Sequence, residues 1–136
     1  MKRVLGIDPG DARMGIAISD DLGMLAHPLE TIPVKAGRVR ERILEIIRDK
    51  GIEAIVVGMP RNMDGSFGPA AQKSRDFIEA LKAVTTCPII SWDERWTTVS
   101  AQRSLQEAGK KARDQKAMID QVAAQILLQS WLDSQP

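Results

Sequence analysis

The run IEAIVVG, Ile52 to Gly58, is apolar at nearly every position. It is too short for an ordinary helix, and it lacks the alternation of a strand with one face in water. A nearly continuous apolar run bounded by turn signals fits a strand covered on both faces, the usual state of a parallel strand between helical layers. The chain must therefore supply helices for both sides of a sheet.

The flanking segments supply them. Before the run, AGRVRERILEIIRDKG carries Val39, Ile43, Ile46 and Ile47 at helical spacing, with Gly51 placed to end the helix. After it, the Gly/Pro-rich stretch MPRNMDGSFGPA reads as a loop, and Ala71 to Val84 returns to helical period through Phe77, Ile78 and Leu81. Pro88 then precedes a short strand, IISW, which ends in Asp93-Glu94-Arg95. Thr97 or Thr98 can cap a helix running to about Ala108, closed by Gly109. A basic connector, KKARDQK, leads to a last helix over Lys116 to Leu132.

The N-terminal third reads differently. Arg3 to Ile7 and Gly15 to Ser19 are β-rich runs joined by PGDARM as a hairpin, and DDLG makes a second turn. Met24 to Ile32 follows as a third strand. His27-Pro28 interrupts it, which places it at an edge. The resulting fold class is α/β: a mixed five-stranded sheet with three antiparallel strands followed by parallel βαβ strands, and helices on both faces. No repeat or linker divides residues 1–136, so one domain is predicted.

Composition narrows the setting. No apolar run is long enough to span a bilayer, and MKRVLGIDPG does not read as a signal peptide. A single cysteine, Cys87, cannot form an internal disulfide. A cytoplasmic location without membrane association is expected. The net charge of +1 neither demands nor forbids a nucleic-acid partner, and the scarcity of aromatics argues against a sheet-surface base-stacking platform.

In this topology the first, fourth and fifth strands end on one edge of the sheet, where α/β proteins place ligands. Asp8 lies at the end of the first strand, and Asp93 and Glu94 at the end of the fifth. With the fourth strand between them, the outer two are on the order of 10 Å apart, wide for direct carboxylate contact but within reach of a long glutamate and bridging cations. On the last helix Ile119, Val122, Ala123, Ile126 and Leu127 are predicted as the apolar face, and Gln121, Gln125 and Gln129 as the polar one. Asp120 falls on the border, beside small alanines that would let the helix approach the sheet. Convergent carboxylates repel unless protonated or bound to a cation. A hard divalent ion, Mg²⁺ or Mn²⁺, one or two per site, is the natural partner, and no His/Cys cluster suggests zinc. His27 reads as structural or exposed. Each acid also has an ordinary explanation: Asp8 as a turn former, Asp93-Glu94-Arg95 as a solvated loop, Asp120 as a helical partner of Lys116.

Four blocks, in order, carry a resemblance that covers nearly the whole chain: GIDPGDARMGIAISD, VVGMPRNMDGSFGPAA, DERWTT and IDQVAAQILLQSWLD. The chain resembles the YqgF-type family of the RNase H-like superfamily, described as Holliday-junction resolvases and as nucleases for the 5′ end of pre-16S ribosomal RNA. The resemblance implies an RNase H-like fold and a metal-dependent phosphodiesterase with Asp8, Glu94 and Asp120 as catalytic and metal-binding residues. Asp93 is a fourth candidate. One departure concerns the fourth strand, which ends in Gly-Met-Pro where better-characterised nucleases of the superfamily carry an acid. The second acid must then come from the fifth strand.

Arg13, Arg61 and Arg95 fall on or near the same rim and suit phosphate oxygens. Lys110, Lys111, Arg113 and Lys116 could track a nucleic-acid backbone or simply be solvated. The expected partner is structured RNA, including ribosomal precursor particles, or branched DNA, bound by a monomer or a weak homodimer. Two other classes stay open. Actin-like ATPases and sugar kinases share the opening hairpin but close two large lobes over ATP, and this chain has room for one. A non-catalytic nucleic-acid-binding or ribosome-assembly module would keep the fold without cleavage.

Overall fold

A computed structural model describes residues 3–60, 66–94 and 112–136, with side chains of the last segment from Asp120 onward. Strands β1 (Arg3–Asp8), β2 (Arg13–Ser19) and β3 (Ala26–Pro33) come first. Helix α1 (Val39–Lys50), strand β4 (Ile52–Met59), helix α2 (Pro69–Lys82), strand β5 (Ile89–Asp93) and helix α3 (Ala112–Asp133) follow. The helix expected from Thr97 or Thr98 to Ala108 lies outside the described residues. No described helix is long and apolar enough to cross a membrane.

The sheet order is β3-β2-β1-β4-β5. β1 pairs antiparallel with β2 and β2 with β3, while β4 pairs parallel with both β1 and β5. The interrupted strand is thus at an edge, and the apolar run Ile52–Gly58 lies inside the sheet. Alternation along β4 explains why that run has no polar face. Ile55, Val57 and Met59 pack with Ile43, Ile46, Ile78 and Leu81 of α1 and α2, while Ala54 and Val56 pack with Ala124, Leu128 and Leu132 of α3. Gly51 ends α1 in the left-handed conformation, and its N–H returns to the Ile47 carbonyl.

Helix α3 buries a different stripe from the one expected. Ala124, Leu127, Leu128 and Leu132 are its buried residues, whereas Val122, Ala123 and Ile126 are only half-buried. The three glutamines do not face open water. Gln121 Nε2 donates to Thr31 Oγ1, Gln125 Nε2 to the Ala26 carbonyl and Gln129 Nε2 to the Met24 carbonyl, while Gln129 Oε1 accepts from the Ala26 N–H. A periodicity argument ranks glutamine as polar and turns it outward. Here its amides satisfy the hydrogen-bonding groups of the β3 edge, so the buried stripe rotates by about one residue. At the far side Trp92 Nε1 of β5 donates to Ser130 Oγ, 3.1 Å away. The helix is therefore anchored at both edges of the sheet.

Two glycines let α3 sit low on the sheet. A Cβ on Gly15 would stand 1.9 Å from the Asp120 carbonyl oxygen, and one on Gly6 would stand 2.8 Å from the Leu128 Cβ. Both would strike parts of the helix that cannot swing aside. We expect Gly15→Ala to destabilise the fold by roughly 2–3 kcal/mol, the usual range for overpacking. Gly37→Ala, at φ +70 in open space, serves as a control in which only the backbone is strained. Urea denaturation followed by circular dichroism checks the difference. Equal, small losses would show that α3 is not held by this close approach.

Candidate active site

The C-terminal ends of β1, β4 and β5 form one edge, and Asp8, Met59 and Asp93 are the last strand residues on it. Asp8 shares the side of β1 occupied by Val4 and Gly6, which is the α3 side. Asp120 lies in line with Ala124, Leu127 and Leu128 at the start of the buried stripe. Its helix is seated against Gly15, which pairs directly with Asp8 in the sheet register. The low seating of α3 thus carries the Asp120 carboxylate to Asp8.

Glu94 follows β5 immediately. Its side chain lies over Gly58 of β4, where a Cβ would stand 2.3 Å from Oε1 and 3.0 Å from Cγ and Cδ. The missing acid at the end of the fourth strand and the presence of one after the fifth are therefore linked. Gly58 vacates the space that the Glu94 carboxylate fills. Gly58 lies within β4, and its use is this space.

Asp8 and Glu94 share a carboxyl–carboxyl hydrogen bond, so the glutamate spans the intervening strand directly. Such a bond needs one proton, shared within the pair. Burial, the hydrogen bond to Glu94 and the charges of Glu94 and Asp120 push the Asp8 carboxyl up to about 9. Both other acids therefore act on Asp8. Asp93 is buried at the end of β5. Arg13 Nε donates to Asp120 Oδ2 across 2.7 Å, with both side chains partly exposed. Sequence reasoning assigned Arg13 to substrate and did not foresee this pair, whose partners are 107 residues apart in the chain. Arg61, Arg95, Lys110 and Lys111 lie outside the described residues. His27 is exposed.

Among the described residues, no group of three or more acidic, His or Cys side chains is placed to hold a metal ion. The donor chemistry nevertheless suits a hard divalent cation. The set is all carboxylate oxygen, Gly58 leaves a cradle for one member, and the proton held on Asp8 marks where positive charge is wanted. Arg13 supplies part of that charge to Asp120.

The family model described as "RuvX: Holliday junction resolvase" matches residues 2–134. The chain belongs to this family. A relative from Halothermothrix orenii is 47% identical over 134 residues, covering 98% of this chain and 96% of that protein. One from Listeria monocytogenes is 40% identical over 135 residues, covering 97% and 98% respectively. Both are provisionally named pre-16S rRNA nucleases. Among solved structures, T. thermophilus RuvC in complex with Holliday junction substrate aligns with a TM-score of 0.61 over 98% of both chains at 14% identity. That likeness establishes the RNase H-like fold expected from the four sequence blocks.

The raised Asp8 pKa has a definite sign. The folded protein holds a proton that the unfolded chain, with an ordinary carboxyl near 3.8, has released. The stability from this group is present in full below about pH 4 and is lost progressively as pH rises toward 9. Asp8→Asn removes that loss. In the absence of divalent metal the variant should be more stable than wild type by roughly 1–3 kcal/mol at pH 8, with the gap closing toward pH 4. Denaturation across this pH range checks it, and a gap independent of pH would contradict the shared-proton arrangement.

Proposed function

We propose that the protein is a divalent-metal-dependent hydrolase that cleaves a phosphodiester of structured nucleic acid, with the 5′ end of precursor 16S rRNA as its substrate. The observation that carries this is the convergence of Asp8, Glu94 and Asp120 on one sheet edge, with Glu94 lying over Gly58 and the Asp120 backbone seated on Gly15, the sheet partner of Asp8. Family membership and relatives named for rRNA processing supply the reaction class and the substrate. Asp8, Glu94 and Asp120 would hold Mg²⁺ or Mn²⁺. When bound, such ions activate water and stabilise the leaving oxygen of a phosphodiester.

The chain's own residues do the rest. Hydrolysis forms a bond from phosphorus to the water oxygen and breaks the bond to the leaving nucleotide oxygen, which departs as a hydroxyl. With a cation in the site, Asp8 would lose its proton to solvent and stand with Glu94 and Asp120 among the residues that hold the ion. Arg13 exchanges Asp120 for a substrate phosphate oxygen, a swap that keeps its charge paired throughout. Arg61 and Arg95 complete the phosphate contacts. We further place the protein in the cytoplasm, on the strength of its single cysteine.

The family description favours a second reading, cleavage of a four-way DNA junction. A symmetric dimer would suit that substrate, because paired strands must be cut. Both substrates should be offered with Mg²⁺ or Mn²⁺ to wild type and to Asp8→Asn. The expected result is cleavage of precursor rRNA that falls by about 100-fold or more in the variant, beyond the usual loss when an outer-shell partner of a metal is removed. Preferential cleavage of the junction would select the resolvase reading. Cleavage of neither would leave a binding module.

A further inference from the structure

On the other side of the same edge, away from the acids, the structure carries an open hollow of about 300 Å³. This is at the lower end of the range of small-molecule sites, ~300–1,000 Å³. Pro9 and Gly10 form one wall and Pro60 another, so the hollow begins where β1 and β4 end. Pro9 is the residue after Asp8, about 3.8 Å along the chain from Cα to Cα. The acids lie on the α3 side and the hollow on the α1 and α2 side, so a polynucleotide that reaches both would cross the ends of β1 and β4.

The lining is unlike a phosphate site. Met14 and Phe77 give it a flexible thioether and an aromatic ring, both part of or against the core under α1 and α2. Ser74 is 2% exposed and also lines the hollow, so its hydroxyl is a polar group in an otherwise largely apolar wall. A hydroxyl can both donate and accept, so it can meet either kind of group on a heterocycle edge. At the rim Lys73 Nζ pairs with Asp11 Oδ1 at 2.7 Å, with the two side chains 67% and 80% exposed. A pair that wet is cheaply broken. Lys73 is then free for the backbone phosphate of the same nucleotide, while Asp11 returns to water.

We propose that this hollow is a base pocket: it takes one unpaired nucleobase next to the cleaved phosphodiester, between Phe77 and Met14, with Ser74 on its polar edge and Lys73 on its phosphate. The proposal rests on the nuclease reading above and sharpens it. A continuous duplex keeps its bases stacked and cannot fill the pocket, whereas a single-stranded end, bulge or junction can. The pocket therefore selects substrates with an unpaired nucleotide beside the scissile bond.

Mononucleotide binding tests the pocket without any need for cleavage. In ¹⁵N-labelled wild-type protein, 5′-AMP at millimolar concentration should shift the amides of Gly10, Ala70, Lys73 and Ser74, whereas ribose 5-phosphate should shift Lys73 at most. Ala70 is exposed at the mouth, so Ala70→Trp should fill the entrance, leave the fold intact and abolish the AMP-dependent shifts. The same variant should lose at least tenfold in kcat/KM on a substrate with an unpaired nucleotide flanking the cut. Equal shifts with ribose 5-phosphate, no shifts with either compound, or AMP-dependent shifts that persist in Ala70→Trp would overturn the base assignment. Those results would leave the nuclease reading standing if wild type still cleaves. Selective AMP shifts in a protein that cleaves neither RNA nor DNA would instead keep the pocket and remove the nuclease reading.

Discussion

The close approach of α3 to β1 and β2 is the contact on which the candidate site depends. Asp8 and Asp120 are 112 residues apart in sequence, and only the seating of the helix against Gly6 and Gly15 brings them to one edge. The same approach buries Ala124, Leu127 and Leu128. It also sets the glutamines against β3 and Ser130 against Trp92. Hydrophobic burial supplies the drive, and the glycines set how far it can go before backbone meets backbone. A bulkier residue at either position would lift the helix and withdraw Asp120 from the cluster.

A second glycine device completes the cluster from the other side. Gly58 gives up its own side chain so that Glu94 can lie across β4 to Asp8. The cost of gathering carboxylates is met by a proton on Asp8 and by Arg13 on Asp120. The cluster thus carries compensating positive charge within the fold itself.

Much of this was legible in the sequence, for identifiable reasons. The doubly apolar Ile52–Gly58 run, the hairpin ahead of it and Gly51 at the helix end are local signals, and local signals survive in one dimension. The position of β3 at an edge followed from Pro28. The positions of Asp8 and Glu94 at strand ends were legible because strand ends are predictable once strand order is. The orientation of α3 was not, because glutamines were taken as solvent-facing when their amides bond to the edge strand. Gly6, Gly15 and Gly58 gave no local sign of their use, although period-two alternation puts Gly6 on the side of β1 that carries Asp8. The Arg13–Asp120 pair and the pocket beside Pro9 depend on contacts between distant segments, which periodicity does not report.

Titration of Mn²⁺ into the purified protein by calorimetry tests the central claim, that Asp8, Glu94 and Asp120 make one cation site. Wild type should bind, and Asp8→Asn, Glu94→Gln and Asp120→Asn should each weaken binding by about tenfold or more, as loss of a carboxylate ligand requires. Undiminished binding in any one of the three variants would contradict the account, because it would show that the cluster is an arrangement of the fold and not a shared site.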